Sequence, residues 1–112
     1  LEFRRVLFRS EIAKAKGAGD TVFCIGVDTD QYNTVPQAQK CLITSAMKLL
    51  AEGTSDLVGM AANGSFPGGN YVGKAALADY HDTASKVPAD VQQKVKDVIA
   101  GLTDGSVTTG VQ

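Results

Sequence analysis

The run of apolar residues at positions 22–27 (VFCIGV) is the feature that most limits the fold of this chain. Its valines and isoleucine favour an extended backbone. Polar residues close the run on both sides, with Asp20 before it and residues 28–33 after it. An uninterrupted apolar run of this length is typical of a strand covered on both faces, as in a parallel sheet flanked by helices. The sequence therefore predicts an α/β fold.

The remaining patterns agree with that class, because strand-like runs alternate with stretches of helical spacing. Glycine, proline and capping residues mark where the elements end. The predicted elements are a helix end at residues 11–16 before Gly17 and Gly19, a strand at 41–46, a helix at 56–63 capped by Thr54 or Ser55 and ended by Gly64, a turn at 66–70, an edge strand or irregular crossing at 71–78, a helix at 89–100 after Pro88 and before Gly101, and a terminal strand at 107–111.

Composition excludes several classes of protein. The 112 residues are 44% hydrophobic and 21% charged, which suits one small soluble domain. With a net charge of -1, the chain lacks the excess of basic residues that binding to nucleic acid requires. No run reaches the roughly 18 apolar residues of a membrane span, and the start does not resemble a signal peptide.

Residues 1–10 (LEFRRVLFRS) differ from the rest of the chain. They contain all three arginines, whereas the other 102 residues use lysine for every basic charge. The same ten residues are what the end of a common sequencing adapter would encode, so we interpret them as a non-native segment left by cloning or assembly. Without them, eight basic and eleven acidic residues remain, a net charge of -3. The native part of the chain is then residues 11–112.

The acidic turn after the first strand is the best candidate for a binding site. In open α/β sheets, ligands bind beyond the carboxyl ends of the strands, where Asp28 and Asp30 are expected to lie. The Asp28 carboxylate can accept two hydrogen bonds from sugar hydroxyls, and Gly26 would let a ligand approach the backbone. An alternative is the Asp-x-Asp loop of a magnesium-dependent phosphatase, in which one aspartate attacks phosphate.

Other reactive residues give weaker signals. His81 is the single histidine, and Tyr80-His81-Asp82 is interpreted as a surface corner, although a Ser45/His81 dyad stays open. Cys24 and Cys41 both lie in apolar runs, which favours two buried free thiols, while a bridge would be compatible with an exported protein.

Several segments resemble the basic membrane protein (BMP, PnrA-like) family. Residues 25–31 (IGVDTDQ) and 42–48 (LITSAMK) resemble that family's GVDSDQ and LTSMVK segments. The likeness continues through Tyr80-His81-Asp82 and residues 85–88 to Gly105-Ser106-Val107. Residues 49–52 depart from the family pattern, and residues 71–77 match it only loosely.

The resemblance implies a C-terminal portion of a PnrA-like solute-binding lipoprotein of an ABC transporter. It implies a type I periplasmic-binding fold of two lobes that close around a purine nucleoside, with permease subunits as partners and no cofactor. Asp28 would bind ribose hydroxyls and Lys48 would add a charged donor, with Asp30 and Ser45 as further candidates. The location would be extracytoplasmic, with a membrane anchor outside this sequence. A third alternative is the ligand-sensing domain of a transcription regulator.

Overall fold

The computed structural model describes residues 2–110, with side chains from residue 7 onward. Helices and strands alternate along most of this range. The elements are α1 (Glu2–Ile12), β1 (Cys24–Asp28), α2 (Gln31–Thr34), a 3₁₀ turn (Pro36–Ala38), β2 (Leu42–Lys48), α3 (Leu50–Ala62), β3 (Ala75–Leu77), a 3₁₀ segment (His81–Lys86) and α4 (Ala89–Asp104).

The sheet has three strands in the order β1-β2-β3. β1 and β2 run parallel, so their carboxyl ends lie at the same edge, where Asp28 is in register with Met47. β3 pairs with β2 in the antiparallel sense. The α/β class is thus observed, but the sheet is mixed where the sequence predicted a parallel one. The predicted edge strand at 71–78 exists in a shorter form, over three residues.

The buried apolar cluster is built mostly from small residues. Ile12 and Tyr32 pack against its members, which are Ala13, Ala18, Cys24, Val35, Ala38, Cys41 and Leu42. Successive side chains of a strand point to opposite faces, and Ile25, which follows Cys24, is 55% exposed. The prediction that β1 is covered on both faces is therefore wrong at Ile25.

Cys24 and Cys41 form a disulfide, with their Cα atoms 5.3 Å apart. The interpretation as two free thiols is wrong. Cys24 opens β1 and is in register with Leu42, and Cys41 immediately precedes Leu42. The backbone N–H of Cys24 donates to the carbonyl of Cys41 at 2.7 Å. Parallel pairing thus brings the two cysteines into bridging range.

Helix α3 begins earlier than predicted. It starts at Leu50 with Leu49 at the N-cap position and includes Thr54 and Ser55, so neither of these caps it. Lys48 ends β2 just before it, so the chain turns directly from strand to helix. The predicted end is close to the observed one, because α3 stops at Ala62.

Helix α4 ends later than predicted. It continues through Gly101 to Asp104, and Gly105 takes the left-handed conformation, with φ of 81°, that ends the helix. Beyond it, the N–H of Val107 turns back to donate to the carbonyl of Gly101 at 2.9 Å. The predicted terminal strand is therefore absent from residues 107–110, and residue 111 lies outside the described residues.

The amino-terminal region also departs from prediction. α1 ends at Ile12, so residues 13–16 form turns instead of the predicted continuation of a helix. Arg9, from the segment interpreted as non-native, is buried and its Nε donates to the carbonyl of Ile25 at 2.8 Å. Within residues 2–110, every helix is too short or too polar to cross a membrane.

Candidate functional site

Asp28 and Lys48 meet at the carboxyl edge of the parallel strands. Each is the last residue of its strand, and Lys48 Nζ lies 2.7 Å from Asp28 Oδ1. The Asp28 side chain is only 18% exposed, whereas that of Lys48 is 65% exposed. A shielded carboxylate thus lies next to a solvated ammonium group, and both can bond to a polar ligand.

The backbone of Asp28 is left-handed, with φ of 77°. Aspartate tolerates this region better than most residues, but the conformation still costs free energy relative to glycine. Such conformations occur often at binding and active sites, where the surrounding structure holds them in place. Here the turn carries the chain from β1 into α2.

Asp30 caps α2 instead of pointing to an open site. Its carboxylate accepts from the N–H of Tyr32 at 3.1 Å and from Asn33 Nδ2 at 2.8 Å. The same carboxylate lies 2.9 Å from His81 Nε2. Its role in the structure is to hold the start of α2 and join it to the 3₁₀ segment.

A second tie between α2 and the 3₁₀ segment involves aromatic rings. The His81 ring stacks on Tyr32 at 4.0 Å between centroids, and the Tyr32 hydroxyl donates to Asp82 Oδ2 at 2.6 Å. That hydrogen bond, together with partial burial and the negative charge of Asp82, raises the pKa of Tyr32. Tyr80-His81-Asp82 is therefore a corner packed against α2.

Gly26 and Ser45 lie inside the structure, behind the strand ends. Ser45 is 1% exposed and its Oγ accepts from the N–H of Gln31 at 3.0 Å. A Cβ at Gly26 would overlap Ser45 Oγ and would lie 3.1 Å from Gln31 Cβ. Gly26 thus makes room for Ser45 within the sheet. The Ser45/His81 dyad does not form, because Ser45 bonds to Gln31 and His81 bonds to Asp30.

A pocket of about 390 Å³ opens beside Lys48, between α3 and the chain that leads into β3. The Tyr71 ring forms one wall and packs on the backbone of α3, since a Cβ at Gly53 would lie 3.1 Å from its Cε1. Its hydroxyl donates to Asp56 Oδ2 at 3.2 Å. Burial, followed by this hydrogen bond, raises the pKa of Tyr71. The pocket is therefore lined by a flat aromatic ring and, among other residues, by Lys48.

Sequence reasoning did not identify Tyr32 or Tyr71 as parts of this region, and it considered His81 only as a partner of Ser45 or as part of a surface corner. The position of Asp30 directly before a short polar segment is a signal for a helix N-cap, and the sequence alone contains that signal. The contact of His81 with Asp30 joins residues 51 positions apart, and no local pattern indicates it.

No group of three or more His, Cys, Asp or Glu side chains within residues 2–110 is arranged to hold a metal ion. Comparisons with protein-family models, curated proteins and solved structures give no match to this chain. The resemblance to the BMP family stays a prediction.

Proposed function

We propose that residues 11–112 are the C-terminal portion of a solute-binding component of an ABC importer, with a type I periplasmic-binding fold. The solute is a purine nucleoside or a close relative. The mechanism is binding and lobe closure without chemical turnover, and the partners are permease subunits. A lipid anchor outside this sequence would keep the protein at the extracytoplasmic side of the membrane.

The ion pair of Asp28 and Lys48 is the observation that carries this proposal. A shielded carboxylate can accept from two adjacent ribose hydroxyls, while the neighbouring ammonium group donates to a ring or hydroxyl oxygen. Ligands of open α/β sheets bind at this edge. The pair would hold the carboxylate in place before the solute arrives, which lowers the cost of ordering it on binding.

The pocket beside Lys48 supports a flat, partly apolar solute. Its volume of about 390 Å³ is at the lower end of the range for small-molecule sites. The Tyr71 ring gives a stacking surface, and Leu57 adds apolar contact. These side chains favour an arrangement in which the sugar binds the Asp28–Lys48 pair and the base lies toward Tyr71.

The disulfide supports the proposed location. Disulfides persist in oxidising compartments and are rare in the cytosol of most cells. Cys24 and Cys41 are both buried, so the bridge is structural in position and not an exposed redox pair.

The magnesium-dependent phosphatase is the competing function, and the geometry favours it less. The Asp30 carboxylate already accepts from two donors of α2 and contacts His81. The Asp28 carboxylate pairs with an ammonium group. Two aspartates that share a magnesium ion need oxygens free to face it.

Recovering the natural upstream sequence and titrating the intact protein with inosine and adenosine would test the proposal. We expect saturable binding by calorimetry, and an upstream lipobox-type signal peptide. A helix-turn-helix upstream would point to the transcription regulator. Magnesium-dependent phosphate release from p-nitrophenyl phosphate, without nucleoside binding, would replace the receptor with the phosphatase.

A further inference from the structure

Helix α3 is followed by an Asn-Gly-Ser sequence on the surface. Ala62 is the last residue of the helix, and Asn63, Gly64 and Ser65 come directly after it, all three exposed. Gly64 is left-handed, with φ of 74°, and a Cβ built there would meet nothing within 4 Å. The backbone at Gly64 is therefore uncrowded on the side that a larger residue would fill.

The side-chain carbonyl of Asn63 accepts two hydrogen bonds from Ser65. Its Oδ1 accepts from the Ser65 N–H at 3.2 Å and from the Ser65 hydroxyl at 2.5 Å. The other acceptor near that hydroxyl, the carbonyl of Met60, is farther away at 3.5 Å. Two donors on one carbonyl oxygen make Cγ more electrophilic, and they stabilise the negative charge that forms on Oδ1 when a nucleophile attacks.

These contacts are local. The Ser65 N–H also donates to the carbonyl of Met60 at 2.9 Å, which holds Ser65 against the last turn of α3. Every partner lies within residues 60–65, so the arrangement needs no other part of a longer protein.

The backbone nitrogen of Gly64 is the nucleophile within reach, because a bond from it to Cγ of Asn63 closes a five-membered ring. Its N–H donates to the carbonyl of Ala61 at 3.3 Å, which is longer than the usual range for such a bond. Ring closure requires rotation about the Cα–C bond of Asn63. A glycine in the next position puts no Cβ in the way of that rotation.

We propose that Asn63 is a site of spontaneous deamidation through a cyclic imide. The Gly64 nitrogen gives its proton to hydroxide and forms a bond to Cγ of Asn63. The bond from Cγ to the amide nitrogen breaks, and that nitrogen leaves as ammonia with a proton from water. Water then opens the imide: addition at Cγ gives aspartate, and addition at the backbone carbonyl gives isoaspartate. No atom changes oxidation state, and the site does not depend on the solute proposed above.

The modification would change the end of α3 in two ways. It adds one negative charge to a chain whose net charge is -1. The carboxyl end of a helix carries partial negative charge, so a carboxylate next to Ala62 is unfavourable there. Isoaspartate also lengthens the backbone by one carbon and removes the side chain that bonds to Ser65.

The other two asparagines of the chain are internal comparisons. Asn33 precedes Thr34, whose branched side chain crowds the backbone nitrogen, and the Asn33 amide donates to Asp30 at 2.8 Å. Asn70 is exposed but precedes Tyr71, which carries a large side chain. We expect both to react more slowly than Asn63.

The sequence Asp104-Gly105-Ser106 repeats the pattern at the end of α4. The Ser106 N–H donates to Asp104 Oδ1 at 2.9 Å, as the Ser65 N–H does to Asn63. Hydrogen bonds from the side chain and the N–H of Ser106 lower the pKa of Asp104. An ionised carboxylate resists a nucleophile, so the native residue should be inert. Asp104→Asn should create a second reactive site.

Peptide mapping by mass spectrometry tests the proposal, after incubation of the 112-residue chain in mildly alkaline buffer. We expect conversion of Asn63 to a mixture of aspartate and isoaspartate about tenfold faster than conversion of Asn33 or Asn70, because only Asn63 precedes glycine. Gly64→Ala should abolish most of the reaction. Equal rates at the three asparagines, or no conversion at Asn63, would overturn the proposal.

Ser65→Ala tests the part played by the two donors. It removes the hydroxyl and keeps the N–H, so Asn63 should react about fivefold more slowly, a smaller loss than at an enclosed oxyanion site. In concentrated urea the same variant and the wild type should react equally, since the contact exists only in the folded chain. The control Ser106→Ala should leave the rate at Asn63 unchanged. Equal rates for Ser65→Ala and wild type in native buffer would contradict the role of the hydroxyl.

Asp104→Asn tests whether the arrangement alone is sufficient. This variant has an amide, a following glycine and one N–H donor, so position 104 should react at about the rate of Asn63 in the Ser65→Ala chain. Far-UV circular dichroism checks that each variant keeps its helices. An unreactive position 104 in a folded variant would contradict the proposed mechanism.

Discussion

Lys48 Nζ lies 2.7 Å from Asp28 Oδ1, so one ion pair joins the carboxyl ends of the two parallel strands. Neither residue is next to the other in sequence, and the parallel register alone brings them together. The pair is the centre of the proposed binding site.

Replacement of Asp28 by asparagine should weaken nucleoside binding by the intact protein by about 2 kcal/mol, or about 30-fold. Asparagine keeps the shape of the side chain and tolerates φ of 77°, so the change removes charge and little else. Calorimetric titration with inosine measures the loss. Asp90→Asn, on the exposed face of α4, should leave the affinity unchanged. Equal affinities for wild type and Asp28→Asn would remove Asp28 from the site.

Reduction of the disulfide should lower the free energy of unfolding by about 3 kcal/mol, because the bridge limits the unfolded chain across a separation of 17 residues. Urea denaturation with and without dithiothreitol measures the difference. The Cys24→Ala/Cys41→Ala double variant should match the reduced protein and should not respond to dithiothreitol. Two thiols that react with iodoacetamide in the unreduced native protein would contradict the bridge.

Gly26→Ala should destabilise the chain by about 1–3 kcal/mol, the usual cost of an overpacked interior. The new Cβ would lie 2.8 Å from Ser45 Cβ, and Ser45 is fully enclosed. Adding Ser45→Gly should recover part of that loss, which a double-mutant cycle in urea would show. The matched control is Gly59→Ala in α3, where a Cβ would meet nothing within 4 Å. Helix propensity should make that variant about 1 kcal/mol more stable. Additive losses at Gly26 and Ser45 would be evidence against direct contact.

The Tyr32 phenol should titrate above its ordinary pKa of 10.0, because it donates a hydrogen bond to Asp82. The raised pKa means that the native state favours the protonated phenol. This contribution to stability is complete below pH 10 and is lost as the pH rises through the native pKa. NMR titration of the tyrosine Cζ resonances measures it. Asp82→Asn should bring the midpoint of Tyr32 down and leave that of Tyr71 raised by burial and by Asp56. No change at Tyr32 would contradict the contact.

Local patterns predicted the parts of the fold that depend on local chemistry. The apolar run at 22–27 and the spacing of valines after Pro88 indicated β1 and α4, because each pattern lies within one element. The helix boundaries at Leu50 and Gly105 were missed, since several residues nearby had comparable capping propensity.

The long-range features of the site could not be predicted in the same way. Asp28 was expected at a strand end, and the structure places it there. Its pairing with Lys48, the bridge between Cys24 and Cys41, and the contact of His81 with Asp30 all depend on register and chain reversal. The number and positions of the cysteines in the sequence do not tell how far apart the two thiols lie in the fold.

The bridge between Cys24 and Cys41 links the two parallel strands covalently at one end. It sits where the strands begin, whereas Asp28 and Lys48 sit where they finish. If β1 and β2 separate, they must therefore pivot about the disulfide, and the largest displacement occurs at Asp28 and Lys48. Strain or thermal motion that separates the two strands would therefore change the distance between the Asp28 and Lys48 side chains before it displaces the buried alanines of the cluster near the disulfide.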